Sequence, residues 1–228
     1  MKVQLDFMAV LSEWPLLLHG VGWTLALTAA AVVVGSVLAT ACAWVRARGF
    51  GDALAPAWLK ALVAGYVELI RNTPFIVQLF FIFFGLPAAG VRLTPELASV
   101  IAMVVNLGAY STEIVRAGLQ ATPRGQIEAA QSLALTPLQV FMRVVLPPSL
   151  ARVWPALVSQ IIIVMLGSAV CGQLSTPELS YAANLIQSRN FRAFEAFLIA
   201  TLIYLLLAMA LRQLLMWMGP RFLFGRKG

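Results

Sequence analysis

The chain has 228 residues, of which 61% are hydrophobic and only 11% charged, with a formal net charge of +7 and a mean hydropathy of +0.89. A soluble domain carries about a quarter charged residues, so a water-soluble enzyme or nucleic-acid-binding domain is excluded and the surplus of Lys and Arg needs another explanation. No charged residue falls between Glu13 and Arg46, between Arg71 and Arg92, or between Arg152 and Glu178; each run is long enough for a helix of ~20 residues to cross a bilayer.

A transmembrane barrel would need short alternating segments of about ten residues, which these continuous apolar runs exclude. The predicted fold class is all-α, a polytopic membrane-spanning helical bundle of about five transmembrane helices forming a single domain over residues 1–228. No cleavable signal peptide is expected, because Glu13 precedes a first run too long for an h-region. The first span is predicted over 15–43, with His19 near its outer end as an interfacial polar residue. A mostly apolar segment, 59–70, carries Glu68 and is followed by Arg71; it reads as a short surface or re-entrant helix broken before Pro74. Spans two to five are predicted over 73–90, 95–116, 149–171 and 194–217. Gly35 and Gly108 are plausible points of close helix packing. Cys42 and Cys171 fall near span ends on opposite faces, so a disulfide is not expected. The Met residues are scattered without a metal-binding spacing.

Five spans put the termini on opposite sides. One orientation collects Arg46, Arg48, Lys60, Arg71, Arg116, Arg124, Arg143, Arg152, Arg212, Arg221, Arg226 and Lys227 on one face and leaves Lys2, Arg92, Arg189 and Arg192 on the other. The positive-inside rule then sets the N-terminus outside and the C-terminus in the cytoplasm, with Trp217 and Phe222 as an interfacial anchor. Residues 117–148 become a cytoplasmic loop, the longest polar stretch inside.

Within that loop, Pro123-Arg124-Gly125-Gln126 reads as a turn opening a helix. Ile127, Ala130, Leu133 and Ala134 recur at three- and four-residue spacing, which predicts one apolar face. Leu135-Thr136-Pro137 ends or bends that helix, and Thr136 can cap a second one with Pro137 at its first position. Leu146-Pro147-Pro148 is expected to close the loop before span four. Glu128 suits the positive end of the first helix and offers a charge to a partner. An amphipathic helix resting on lipid would carry Lys/Arg-rich flanks and Trp anchors; an Ala- and Gln-rich helix with Glu128 favours a protein partner.

The order and spacing of these residues resemble the permease subunits of ATP-binding-cassette importers, in the polar amino acid branch of type I importers. That superfamily's signature is Glu-Ala-Ala, three residues, Gly, nine residues, Ile, one residue, Leu-Pro; here it stands as Glu128-Ala129-Ala130, Ala134, Val144 and Leu146-Pro147. Branch motifs are matched by Gly20 with Thr24-Leu25, by Tyr66 through Pro74, by Gly85-Leu86-Pro87, by Ala109 through Arg116, by Gly125-Gln126, and by Phe191 through Glu195. The resemblance implies that Gly125, Glu128, Ala129, Ala130, Ala134, Leu146 and Pro147 form a coupling site for a cytoplasmic ATPase dimer. ATP and Mg would be held by that partner, since this chain lacks a Walker A pattern and is expected to be no enzyme, with no cofactor or metal of its own. A second permease chain, identical or paralogous, and an extracytoplasmic amino acid-binding protein complete the implied assembly, which sits in the bacterial inner membrane among lipid and binds no nucleic acid.

Three departures limit the likeness. Leu146-Pro147-Pro148-Ser149 replaces Leu-Pro-Gln-Ala and should stiffen the start of span four. Leu166-Gly167-Ser168-Ala169-Val170 replaces Lys-Asp-Thr-Ser-Leu and carries neither charge. Ala134 replaces Gly, which is cheap in a helix but strained in a true turn. Polar groups inside spans mark functional candidates, and Thr73, Gln78, Asn106, Tyr110, Gln160 and Ser168 are the candidate substrate path, although such residues also serve as interhelical hydrogen bonds. Glu68, Arg71, Glu113 and Arg116 are expected to pair with one another at the cytoplasmic span ends. The alternative, an ion-coupled secondary transporter, would show inverted repeats and mid-span ionisable groups; the sequence offers neither.

Overall fold

The computed structural model describes residues 5–47 and 55–223, the side chains of 222 and 223 excepted. Lys2, Arg48, Arg226 and Lys227 of the charge pattern lie outside the described residues, as does the side chain of Phe222. After a single turn at Met8–Leu11, the first long helix, α1, runs over Trp14–Arg46 with Pro15 in its opening turn. Its buried positions, Gly20, Thr24, Leu27, Ala31, Gly35, Ala39 and Cys42, recur every three or four residues and make one inward stripe of mostly small side chains. Val33, Val34 and Val37 point outward.

The chain then forms α2, Ala57–Arg71, and α3, Phe75–Ala88, which meet at a bend of 114°. Pro74 cannot donate a backbone hydrogen bond and keeps the residue before it out of the helical region. The side chains of Asn72 and Thr73 donate to the Glu68 and Leu69 carbonyls at 2.7 and 2.8 Å, so the broken end of α2 is satisfied. The break falls where the sequence predicts it. Alone, α3 is about 21 Å long at 1.5 Å per residue, short of a ~30 Å hydrocarbon core; the second span is therefore half of a bent pair rather than one straight helix over 73–90.

Helix α4, Pro95–Gln120, is capped by Thr94, whose hydroxyl accepts from the Leu97 amide at 3.3 Å. It is the most buried span and lies against α1. Association between helices in lipid rests on close packing rather than hydrophobic drive, and the two expected glycines supply it. A Cβ on Gly35 would come 3.2 Å from Leu107, and one on Gly108 would come 2.7 Å from the Tyr66 hydroxyl and 2.8 Å from Leu38.

A short helix, α5, Arg124–Ser132, precedes a continuous helical rod, α6, Pro137–Leu174. This corrects the expectation that Leu146-Pro147-Pro148 ends the loop. The helix continues through both prolines, because a π-helical stretch at Val140–Val145 immediately precedes them. That wider turn accommodates rings that would collide with carbonyls four residues back. The polar loop of 117–148 is correspondingly shorter, since α4 extends to Gln120 and α6 begins at Pro137.

Two further helices follow. Helix α7, Leu179–Asn190, was not foreseen; helix α8, Ala193–Met218, is the least buried span. There is no strand among the described residues. The central cluster of Leu27, Leu79, Met103, Leu107, Ile161 and Val164 joins α1, α3, α4 and α6. Cys42 and Cys171 are both buried and free, in separate clusters.

Candidate functional site

At one end of the bundle α5 lies on a cluster formed by Ala43, Val115, Leu119, Val140, Phe141, Val145 and Leu146. Ala130 is buried and Ile127 half-buried there, but Leu133 is 76% exposed and Ala134 is also exposed. The predicted four-residue apolar face is thus reduced to Ile127 and Ala130, because the helix ends at Ser132 before Leu133 and Ala134 can complete it. Leu135, past the turn, packs on the same cluster.

The turn itself is a Schellman closure. The Leu135 amide donates to the Ala130 carbonyl at 3.4 Å and the Ala134 amide to the Gln131 carbonyl at 2.9 Å, the six-to-one and five-to-two bonds of that motif. Its left-handed position is occupied by Ala134, with φ +56°. This is the geometry in which Ala is strained and Gly is not. Directly afterwards Thr136 and Gln139 form a reciprocal capping box: the Gln139 amide donates to the Thr136 hydroxyl at 3.4 Å, and the Thr136 amide to the Gln139 side chain at 2.8 Å. Ahead of these closures, on α5, the exposed residues Gly125, Glu128 and Ala129 form an accessible ridge, whereas Ala130 and Leu146 are buried and Pro147 half-buried. The first three can meet a partner; the last three hold the ridge in place.

Close to this corner, Glu113 on α4 binds Arg46 of α1 at 2.5 Å and Arg116 at 2.5 Å. The expected quartet is rearranged: Arg71 stands over the Tyr110 ring at 5.7 Å, and Glu68 is exposed. Arg46 supplies the ion pair from outside α4, while Arg71 lies against Tyr110.

The candidate path residues divide into groups. The Gln78 amide nitrogen donates to the Ile70 carbonyl at 2.7 Å, to the Thr73 carbonyl at 2.9 Å and to the Thr73 hydroxyl at 3.0 Å. Two of those acceptors are carbonyls, so the amide is fixed, and its oxygen receives the Asn106 side-chain amide at 3.0 Å. Thr73, Gln78 and Asn106 are one network; Tyr110 joins its edge by donating to the Arg71 carbonyl at 3.3 Å. Gln160 is buried on α6, seven residues before Gly167 and hence roughly 10 Å along the helix. Ser168 donates to the Met165 carbonyl at 2.6 Å and belongs to another group.

That other group was missed from sequence. Glu178 is fully buried and caps α7, accepting from the Ser180 and Tyr181 amides at 2.9 and 2.7 Å and from the Tyr204 hydroxyl at 2.5 Å. Thr24 accepts from the Leu179 amide at 3.3 Å, and Ser168 and Thr24 both neighbour Tyr204. The available signal was Thr176-Pro177-Glu178, an acidic cap before a polar helix. A second buried carboxylate, Glu195, accepts from the Asp6 amide at 3.0 Å and lies 3.5 Å from Arg192. Both carboxylates staple the end opposite α5.

Residues 31–223 match the family described as binding-protein-dependent transport system inner membrane component. The chain is 32% identical to the glutamine transport system permease protein of Escherichia coli K12, covering 93% of this chain and 95% of that one. It is 35% identical to the L-cystine transport system permease protein of Bacillus subtilis over 78% of this chain and 74% of that one. A crystal structure of an amino acid ABC transporter with histidines superposes with a TM-score of 0.82 at 32% identity, over 94% of this chain and 98% of that one.

Proposed function

The chain belongs to the family of binding-protein-dependent transport system inner membrane components, and from that premise we propose that it is the permease subunit of an ATP-driven amino acid importer. The observation that carries the reading is the corner at α5. A short exposed helix is closed by a Schellman turn at Ala134 and locked to the rod α6 by the Thr136–Gln139 capping box. Both closures are common at helix ends; here they fix an exposed helix directly to the start of the helix that enters the membrane.

In this reading a separate cytoplasmic ATPase dimer, holding ATP and Mg, grips Gly125, Glu128 and Ala129, while Ala130, Ala134, Leu146 and Pro147 position that grip. Closure of the ATPase pair moves α5, and α6 carries the movement into the membrane. Thr73, Gln78, Asn106 and Tyr110 border the path at the α3–α4 contact, and a second permease chain supplies its other wall. Substrate arrives from an extracytoplasmic amino acid-binding protein. The permease lies in the inner membrane with its N-terminus outside and its C-terminus in the cytoplasm, the arrangement favoured by the distribution of Lys and Arg.

The test is co-purification and ATP-driven uptake with Glu128→Lys and with Ala134→Leu. Both variants should insert normally yet lose ATPase association, or hydrolyse ATP without uptake. Wild-type uptake by both would refute the docking role.

A further inference from the structure

Where α3, α4 and α6 meet there is a cavity of about 150 Å³, lined by Phe75, Asn106, Ile163, Val164, Gly167 and Val170. None of these side chains is charged. The cavity is open on one side, where Ile163 is 60% exposed, and its volume is about that of an enclosed apolar cavity that takes up benzene. Asn106 is its one polar side chain, and the network behind it dictates what it presents. Its amide nitrogen is committed to the Gln78 oxygen, and the Gln78 nitrogen is held by the Ile70 and Thr73 carbonyls. The Asn106 oxygen accepts no hydrogen bond among the described residues, so the cavity is offered an acceptor with fixed orientation.

Gly167 supplies the second clue. Gly35 and Gly108 are small because a neighbouring helix presses on them, whereas a Cβ built on Gly167 meets nothing within 4 Å. Its backbone, at φ −63° and ψ −20°, is one that any residue adopts. Neither packing nor conformation calls for glycine at that position; what its missing side chain leaves is room.

We propose that this cavity is the side-chain pocket for the transported amino acid, and that it selects an uncharged apolar side chain of about the size of leucine or phenylalanine. The proposal rests on the importer reading above and adds the substrate class to it. The ammonium group of the ligand donates to the Asn106 oxygen, its carboxylate stays in water at the open side beside Ile163, and the side chain fills the space beside Gly167 against Phe75, Val164 and Val170. An arginine or glutamate side chain would leave water for a wall without a counter-charge, a penalty that should weaken binding about a hundredfold.

The test uses the whole permease–ATPase complex in lipid nanodiscs without the binding protein, and equilibrium binding of radiolabelled leucine, phenylalanine, arginine and glutamate. Leucine and phenylalanine should bind, with arginine and glutamate about a hundredfold weaker. Gly167→Leu should abolish leucine binding, and Gly167→Asp should shift preference toward arginine by at least ~10-fold. Gly167→Ala, a single methyl in open space, covers the case in which Gly167→Leu does not assemble; it should weaken phenylalanine several-fold more than leucine. Equal binding of arginine or glutamate and leucine would overturn the proposal, as would leucine binding unmoved by these substitutions or binding of none of the four. ATP-driven uptake of any amino acid by the same complex with its binding protein separates the two levels. Uptake with a failed pocket test leaves the importer reading standing; ATP hydrolysis with no amino acid uptake removes that reading as well.

Discussion

Ala134 allows the proposed coupling corner to be tested by relieving it rather than damaging it. Its φ of +56° costs an L-residue about 1–2 kcal/mol, while glycine there would lose about 0.4–1 kcal/mol through the greater freedom of the unfolded chain. The balance favours Ala134→Gly by about 1 kcal/mol, which is roughly a fivefold shift in the local opening equilibrium. The amides that report it are those of Ala134 and Leu135, whose bonds to Gln131 and Ala130 close the turn. Hydrogen exchange of the assembled complex, corrected for intrinsic rates, should slow about fivefold at both amides in Ala134→Gly. In Ala134→Val it should quicken, because a β-branched side chain tolerates this backbone less well than Ala. Unchanged or faster exchange in Ala134→Gly would refute the claim that this turn stores strain.

Gly20→Ala would bring a Cβ to 2.8 Å from the Leu179 backbone, whereas Gly22→Ala meets nothing within 4 Å; thermal unfolding should show a loss of about 1–3 kcal/mol for the first and little for the second. Glu178→Ala removes the acceptor of two α7 amides and the Tyr204 hydroxyl, so it should cost about 2–4 kcal/mol and expose α7 to protease, with Tyr204→Phe milder. Gly118→Val would press on the Ser149 carbonyl, which already lies 2.9 Å from an added Cβ; it should lower uptake per ATP hydrolysed while leaving ATPase association intact. Because the two native cysteines are buried, Gln131→Cys and Ala89→Cys should label with an impermeant thiol reagent only from the cytoplasmic and the outer side, respectively; the reverse pattern would invert the topology.

Some of this architecture is legible in the sequence because it depends on neighbours along the chain. Charge-free runs mark spans, Pro74 marks the break before α3, and Thr136-Pro137 marks a capped start. Gly35 and Gly108 are readable because small residues serve close packing in lipid. What escapes depends on geometry across the chain. The pair Pro147-Pro148 reads as a stop, and only the π-helical stretch preceding it lets α6 continue. Residues 179–190 mix apolar and polar side chains without a long apolar run, so α7 leaves no span signal. Gln78 and Asn106 are both visible as polar residues in spans, but their pairing is set by the rotation of α3 about α4, and Ser168, equally visible, turns toward Tyr204 instead. The Gly167 cavity is invisible for the same reason: a glycine in a helix reads alike whether it is pressed by a neighbour or faces open space.

The continuity of α6 links the two parts of the molecule mechanically. Thirty residues separate Pro137, at the capping box, from Gly167, at the cavity, or roughly 45 Å of helix. The backbones of α4 and α6 come close at Gly118 and Ser149, and Ser149 stands twelve residues from the first point and eighteen from the second. A rod pivoting at that contact has arms of roughly 18 and 27 Å. A shift of about 2 Å at α5 then becomes about 3 Å, in the opposite sense, at the cavity wall, which is more than the radius of a methyl group. In the mechanism proposed above, this lever would give ATPase closure a route to the proposed pocket that needs no chain of switching side chains between them. It also gives Gly118 a mechanical reason to be small: a side chain there would jam the pivot, whereas one at Gly167 would only fill the pocket.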